Sequence, residues 1–320
     1  MKRILYVVLA SLVLICAFVP VKKFSLSHRM DNAEFGMSRL ISDGEIDRLF
    51  IGSSIFRQGL DVNIIGANTS RSVYLLSYNG NQPCLEASEL RYLIERGVNI
   101  KELYVDMYAY TLATEVSLSD DRLVLDTDFK YMAELYKMLS EKGKAGIKEL
   151  FEMAVTANNE LFLTWPLSYP LVNSRYRNGS STAGNVGKTA EILNSLPIYT
   201  RFFNLNFEQV TSLFEIIQLC RENNIKLVFV EAPKYLKIVK NKTYRVIMKE
   251  YMTLLAAENV QMIVTDQTFS TYLEMKDTKL SLIKTYEFDS SNATYFQDLI
   301  HLSTAGREAF SAALSELIEK

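Results

Sequence analysis

The chain has 320 residues, is 48% hydrophobic and 22% charged, and carries a formal net charge of −2. That is an ordinary globular balance, with enough chain to bury a large core. Lys2, Arg3, Lys22 and Lys23 flank an N-terminal apolar segment. Without them, 31 basic residues face 37 acidic ones, a net charge near −6, which argues against a nucleic-acid partner. Three scattered cysteines (Cys16, Cys84, Cys220) and two histidines (His28, His301) offer neither a disulfide framework nor transition-metal ligand spacing. No cofactor is expected.

In chain order, residues 4–21 come first. They are uncharged and apolar, and approach the roughly 20 residues that span a bilayer as a helix. The run ends in Val19-Pro20-Val21-Lys22, without the small residues of a signal-peptidase site. Bulky Leu14 and Ile15 before Cys16 disfavour a lipoprotein cysteine. The expectation is a signal anchor over residues 1–23, with residues 24–320 forming a domain outside the cytoplasm. A cleaved signal peptide is the rival reading.

Five short apolar runs then read as buried parallel strands: Arg48–Gly52, Ser72–Leu76, Glu102–Asp106, Lys226–Glu231 and Gln261–Thr265. Amphipathic helices alternate with them, expected over 56–66, 84–96, 207–222 and 244–258, with a last helix opening after Ser303 or Thr304. This alternation predicts an α/β, doubly wound, five-stranded parallel sheet. Residues 110–205 break the rhythm with about three helices and the polar loop Asn178–Gly184. The segment 110–205 is expected to be a helical insertion. It leaves the third strand's C-terminal end, where it can wall a site or simply cover the sheet.

Two short segments carry the chemistry. Gly52-Ser53-Ser54 follows the first strand, and Asp298-Leu299-Ile300-His301 precedes the last helix. Alone, Gly-Ser-Ser is a common turn and Asp-x-x-His a common surface pair. Together, at opposite ends of an α/β chain, they match the parts of a serine nucleophile with a histidine base and an orienting carboxylate. Past residue 28 the only histidine is His301. A serine after a strand and before a helix also places its N–H where an oxyanion can be stabilised.

Two decoys fall away. Gly187-Lys188-Thr189 resembles the end of a phosphate-binding loop, but Thr182 stands where that loop needs glycine. The pair Asp120-Asp121 reads as solvated.

These segments resemble the blocks of the SGNH (GDSL-type) hydrolase superfamily. Gly52-Ser53-Ser54 matches its Gly-Asp-Ser block, which implies Ser54 as nucleophile. Serine in place of aspartate at Ser53 resembles the membrane-anchored branch that includes the teichoic-acid D-alanylation protein DltD and polysaccharide O-acetylation proteins. Gly80, in Ser77-Tyr78-Asn79-Gly80-Asn81-Gln82-Pro83, matches the block whose glycine N–H serves the oxyanion hole. Asp298 and His301 match the last block without a gap. The Gly-x-Asn-Asp block after the third strand is absent; Tyr104-Val105-Asp106-Met107-Tyr108 stands there, leaving Asn79 or Asn81 to supply a third donor. The resemblance implies a flavodoxin-like SGNH fold. It also implies catalysis by Ser54, His301 and Asp298, with an oxyanion hole at Ser54, Gly80 and Asn81. The substrate would be an acylated envelope glycan or an acyl carrier, and a partner would be a membrane-bound O-acyltransferase. A non-catalytic SGNH-like accessory protein is the rival from another class. The segment Arg175–Lys188 and the helices before it are expected to govern acceptor choice, not ester cleavage.

Overall fold

The computed structural model describes residues 36–120, 129–143, 185–198, 204–272 and 280–319, with isolated positions at 6, 9, 13, 123, 176–177 and 180–181. Six parallel strands form one sheet: β1 (Glu45–Gly52), β2 (Val73–Ser77), β3 (Asn99–Asp106), β4 (Lys226–Val230), β5 (Gln261–Thr265) and β6 (Ile283–Tyr286). Their spatial order is β2-β1-β3-β4-β5-β6. The chain therefore winds one way from β1 to β2 and the other way from β3 onward. The switch point of this doubly wound sheet lies between β1 and β3.

The five expected strands all appear, within three residues of their expected bounds. The sixth corrects the sequence reading. Ile283-Lys284-Thr285-Tyr286 pairs only with β5, at the sheet edge, and three of its four residues are half-buried. Edge strand β2 is buried along its whole length, whereas β6 is half-exposed and carries Lys284 and Thr285, so it offered no continuous apolar run.

Parallel neighbours require crossover connections, and helices supply them. Helices Pro83–Glu95 and Phe207–Glu222 pack on each other, and Val62–Thr69 packs on the last helix, Thr304–Ile318. The sheet's buried side chains join theirs in one continuous core. At the switch point Phe50 of β1 stacks on Tyr104 of β3, with ring centroids 4.7 Å apart. Phe56 meets Phe50 edge-on and is fully buried, contributing about 1.5–3 kcal/mol and seating the helix after β1 on the sheet.

The helix expected over 56–66 is two helices, Ser54–Gly59 and Val62–Thr69. Leu60 leaves the helical region, and the Asp61 side chain accepts the Asn63 N–H, starting a second helix. Of the insertion, the described parts are a 3₁₀ turn over Ala109–Leu112 and helices Phe129–Lys142 and Ala190–Ser195, with a two-rung antiparallel pair joining Tyr176–Arg177 to Ser180–Ser181. Asn178 and the other residues of the expected loop between 178 and 184 lie outside the described residues, apart from Ser180 and Ser181. So does the expected anchor over residues 1–23, apart from positions 6, 9 and 13. Among the described residues no helix is long and apolar enough to cross a membrane.

Candidate active site

β1 ends at Gly52. Ser53 is the N-cap of helix Ser54–Gly59: its backbone is extended and its Oγ accepts the Ile55 N–H at 3.2 Å. Ser54 is the first helical residue, so its own N–H has no acceptor within the helix. The two adjacent serines part company here. Ser53 is buried, and its hydroxyl donates to Asp106 Oδ2 at 2.6 Å. Ser54 Oγ lies 2.9 Å from His301 Nε2.

His301 is held by its own turn. One oxygen of Asp298 accepts the backbone N–H groups of Ile300 and His301, each at 2.8 Å. The other lies 2.7 Å from His301 Nδ1. The three-residue spacing thus closes an Asx-type turn that fixes both carboxylate and ring. Burial pushes the Asp298 carboxyl up, but the bond and charge of His301 and the two N–H groups outweigh it, leaving the group below the ordinary carboxylate range. An anionic Asp298 keeps the proton on Nδ1 and leaves Nε2 free to accept from Ser54. Gln297 ties the turn to the helix that begins at Ser54: its Nε2 donates to Gln58 Oε1 at 2.9 Å.

Asp106, at the end of β3, is the residue the sequence reading missed. It occupies the place of the absent third block, is fully buried, and also accepts the Ser53 N–H at 3.4 Å. Burial raises its carboxyl above the usual range, against the pull of the Lys234 ammonium and the Ser53 bonds. Lys234 is itself buried, donates to Ala232 O at 2.5 Å, and lies 5.2 Å from the centre of the Tyr108 ring. An acidic residue closing an apolar strand was the available signal.

A cleft of about 600 Å³ opens over Ser54, at the C-terminal ends of β1 and β3. Gly80, Gln82, Tyr108, Thr111, Ser119 and Ile300 are among the residues lining it. Gly80 therefore shares the cleft with Ser54. Asn81 does not line it: fully buried, it donates from Nδ2 to Glu89 Oε2 at 3.3 Å. The Asn79 side chain is engaged by Arg57. Asp120 is buried, not solvated as expected, while Asp121 lies outside the described residues.

The first residues of the insertion, Tyr110 to Ser119, line this cleft, and its later residues pack on the elements that carry Ser54 and His301. Ser180–Ser181 runs beside helix Ser54–Gly59. Asn185 and Thr304 exchange hydrogen bonds, and the Lys188 N–H donates to Phe296 O at 2.8 Å. The end of the insertion is therefore stitched to the segment that carries His301. Among the described residues, no cluster of three or more His, Cys, Asp or Glu side chains is arranged to hold a metal.

No family model matches the chain, and no curated protein matches it. Among solved structures it is similar to a protein from Streptococcus pneumonia provisionally described as a platelet activating factor, with a TM-score of 0.38 and 11% identity over 97% of this chain and 99% of that one. It is also similar to a GDSL-like lipase from Bacteroides thetaiotaomicron, with a TM-score of 0.33 and 9% identity over 87% of this chain and 89% of that one.

Proposed function

We propose that the protein is an SGNH-type serine esterase or acyltransferase. The observation that carries this reading is the relay Ser54 Oγ to His301 Nε2 to Asp298, at 2.9 and 2.7 Å, opening into a cleft at the sheet's switch point. Ser54 Oγ attacks the acyl carbonyl as its proton passes to His301 Nε2. The Ser54 and Gly80 N–H groups receive the oxyanion. The C–O bond to the departing alcohol breaks, and that alcohol takes the proton from Nε2. A water or an acceptor hydroxyl then attacks the acyl-serine and gives its proton to Nε2, and Ser54 regains it as the acyl group leaves. Water yields hydrolysis; a second hydroxyl yields transfer.

The finer reading is a membrane-anchored enzyme facing the cell exterior and acting on acyl groups of envelope polysaccharide. The apolar segment 4–21 supports the anchor. The cleft supports a hydroxylated substrate, being lined by serine, threonine and glutamine side chains with Tyr108 and Tyr110 set edge to face at 5.5 Å. An acyl carrier and a membrane-bound O-acyltransferase fit the same reading as donor and partner. The test is labelling with a fluorophosphonate, paired with release of acetate from an O-acetylated polysaccharide. Both should require Ser54. A wild-type protein inert in both would favour the non-catalytic accessory role, to which the missing third block points.

A further inference from the structure

We propose that Arg57, Asn79 and Asp120 form a brace that sets the distance between the Ser54 and Gly80 N–H groups. This rests on Ser54 being the nucleophile. An oxyanion hole works only if its donors stand together about 2.7–3.1 Å from the developing charge. Here the two donors sit on different elements, Ser54 on the helix after β1 and Gly80 in the loop after β2. Something must fix one against the other.

Arg57 lies one turn beyond Ser54 on the same helix, with a side chain 14% exposed. Its Nη2 donates to Asn79 Oδ1 at 2.5 Å, so the nucleophile's helix grips the residue just before Gly80. Asp120 grips that residue from the other side, its Oδ2 accepting the Asn79 N–H at 2.7 Å. The same oxygen lies 4.0 Å from Arg57 Nη1, which closes the triangle. The glycine is then boxed in. Gly80 has φ +62°, and a Cβ on it would fall 2.8 Å from Ser119 Cβ, next door to Asp120. Two residues on, Gln82 exchanges hydrogen bonds with Ser117 and accepts from buried Gln209 at 2.6 Å. Segment 117–120 thus clamps the loop against the core, and Arg57 alone in this set reaches it from the helix that bears Ser54. Arg57, Asn79 and Asp120 are positioning residues, because they act through backbone donors.

The test uses the full chain and the variants Arg57→Met, Arg57→Lys and Asp120→Asn. Sites are counted by end-point titration with a fluorophosphonate. Turnover of p-nitrophenyl acetate and inhibition by a boronic acid, which binds serine as a tetrahedral anion, are then measured per titrated site. Arg57→Met should lower kcat about 10- to 100-fold with KM within about threefold, and should weaken the boronate by the same factor as kcat. Arg57→Lys should recover part of both. Asp120→Asn, which keeps an acceptor for the Asn79 N–H, should lose about tenfold at most. Unchanged kcat per site, with only fewer titratable sites, overturns the brace and leaves a folding role. A fall in kcat without weaker boronate binding overturns it as well. A wild-type protein inert towards ester and probe removes the serine mechanism and the brace with it, whereas an active wild type with an unaffected Arg57→Met removes the brace alone.

Discussion

Gly52→Ala is the sharpest probe of how the nucleophile is set. The added Cβ would lie 2.5 Å from Asp106 Cβ and 2.9 Å from Phe56 Cδ2. Carbon atoms rest at about 3.5–4.0 Å, so the strands or the helix must part by about 1 Å. Neither neighbour yields easily: Asp106 is in register with Val230 of β4, and Phe56 is fully buried. Overpacking of this kind costs about 1–3 kcal/mol. Moving Asp106 also stretches its 2.6 Å bond from Ser53, a carboxylate bond worth about 1.5–3 kcal/mol. The two effects share one displacement, so we expect about 2–4 kcal/mol off the unfolding free energy. Ser54 stands two residues on, and a displacement of about 1 Å there should lower kcat about 100-fold. Urea titration reads the first quantity through its midpoint; turnover of p-nitrophenyl acetate per titrated site reads the second. Gly97→Ala is the control, with φ +79° and open space around it. It should cost about 1–2 kcal/mol and leave kcat alone. A Gly52→Ala protein with wild-type midpoint and turnover would refute the claim that β1–β3 spacing governs the serine.

Other outcomes follow from the same geometry. Ser54→Ala should abolish fluorophosphonate labelling, whereas Ser53→Ala should still label to completion while losing about 2–4 kcal/mol with its cap and its bond to buried Asp106; the reverse pattern would exchange the two roles. His301→Ala and Asp298→Asn should each cost on the order of 10⁴-fold in kcat with the fold retained, checked by circular dichroism and ester turnover. Asp298 has a carboxyl held below its unfolded value, so its charge stabilises the fold above about pH 4 and ceases to as pH falls through the folded value. The stability gap between wild type and Asp298→Asn should therefore close in acid, and a gap that widens there would contradict the assignment. Deleting 176–183 should leave small-ester hydrolysis within about tenfold, roughly 1.4 kcal/mol of barrier, while activity on polysaccharide falls further. Extending the deletion through Asn185–Lys188 should damage both, because those residues bond to Thr304 and Phe296 beside the His301 turn. Cell fractionation with N-terminal sequencing should find the protein in the membrane with residue 1 or 2 first; a soluble form starting near residue 24 would count against the anchor.

What the sequence disclosed depended on whether a residue's role was local. The five expected strands, edge strand β2 among them, were legible because helices cover both faces along most of their length, which forces nearly unbroken apolar runs. The last helix was legible from Ser303, whose hydroxyl does cap Gly306 at 3.3 Å. Ser54, Asp298 and His301 could be singled out because two segments, each common alone, occur together at opposite ends of an α/β chain, and because His301 is the only histidine past residue 28. Asp120 reads as a surface acid in Ser119-Asp120-Asp121, and only the fold brings Asn79 across 41 positions to bury it. Asp106 and Ser53 meet across 53 positions for the same reason. Asn81 was misjudged because one step along a turn decides whether a side chain faces the cleft or the core.

The adjacent serines carry a consequence for chemical selectivity. Ser53 and Ser54 are the same molecule twice over, each within hydrogen-bond reach of a proton acceptor. Burial raises the Asp106 carboxyl above its ordinary value, but it holds Ser53 as a structural partner. Ser53, although it borders the cleft, is only 3% exposed, and its oxygen is already bonded to Asp106 and to the Ile55 N–H, so an incoming carbonyl meets Ser54 first. Reactivity is thus allotted both by which hydroxyl the electrophile meets and by which one faces the histidine. A small diffusible electrophile should obey the same partition as a polymer, and moving the helix start by one residue would exchange the two fates without altering a single functional group.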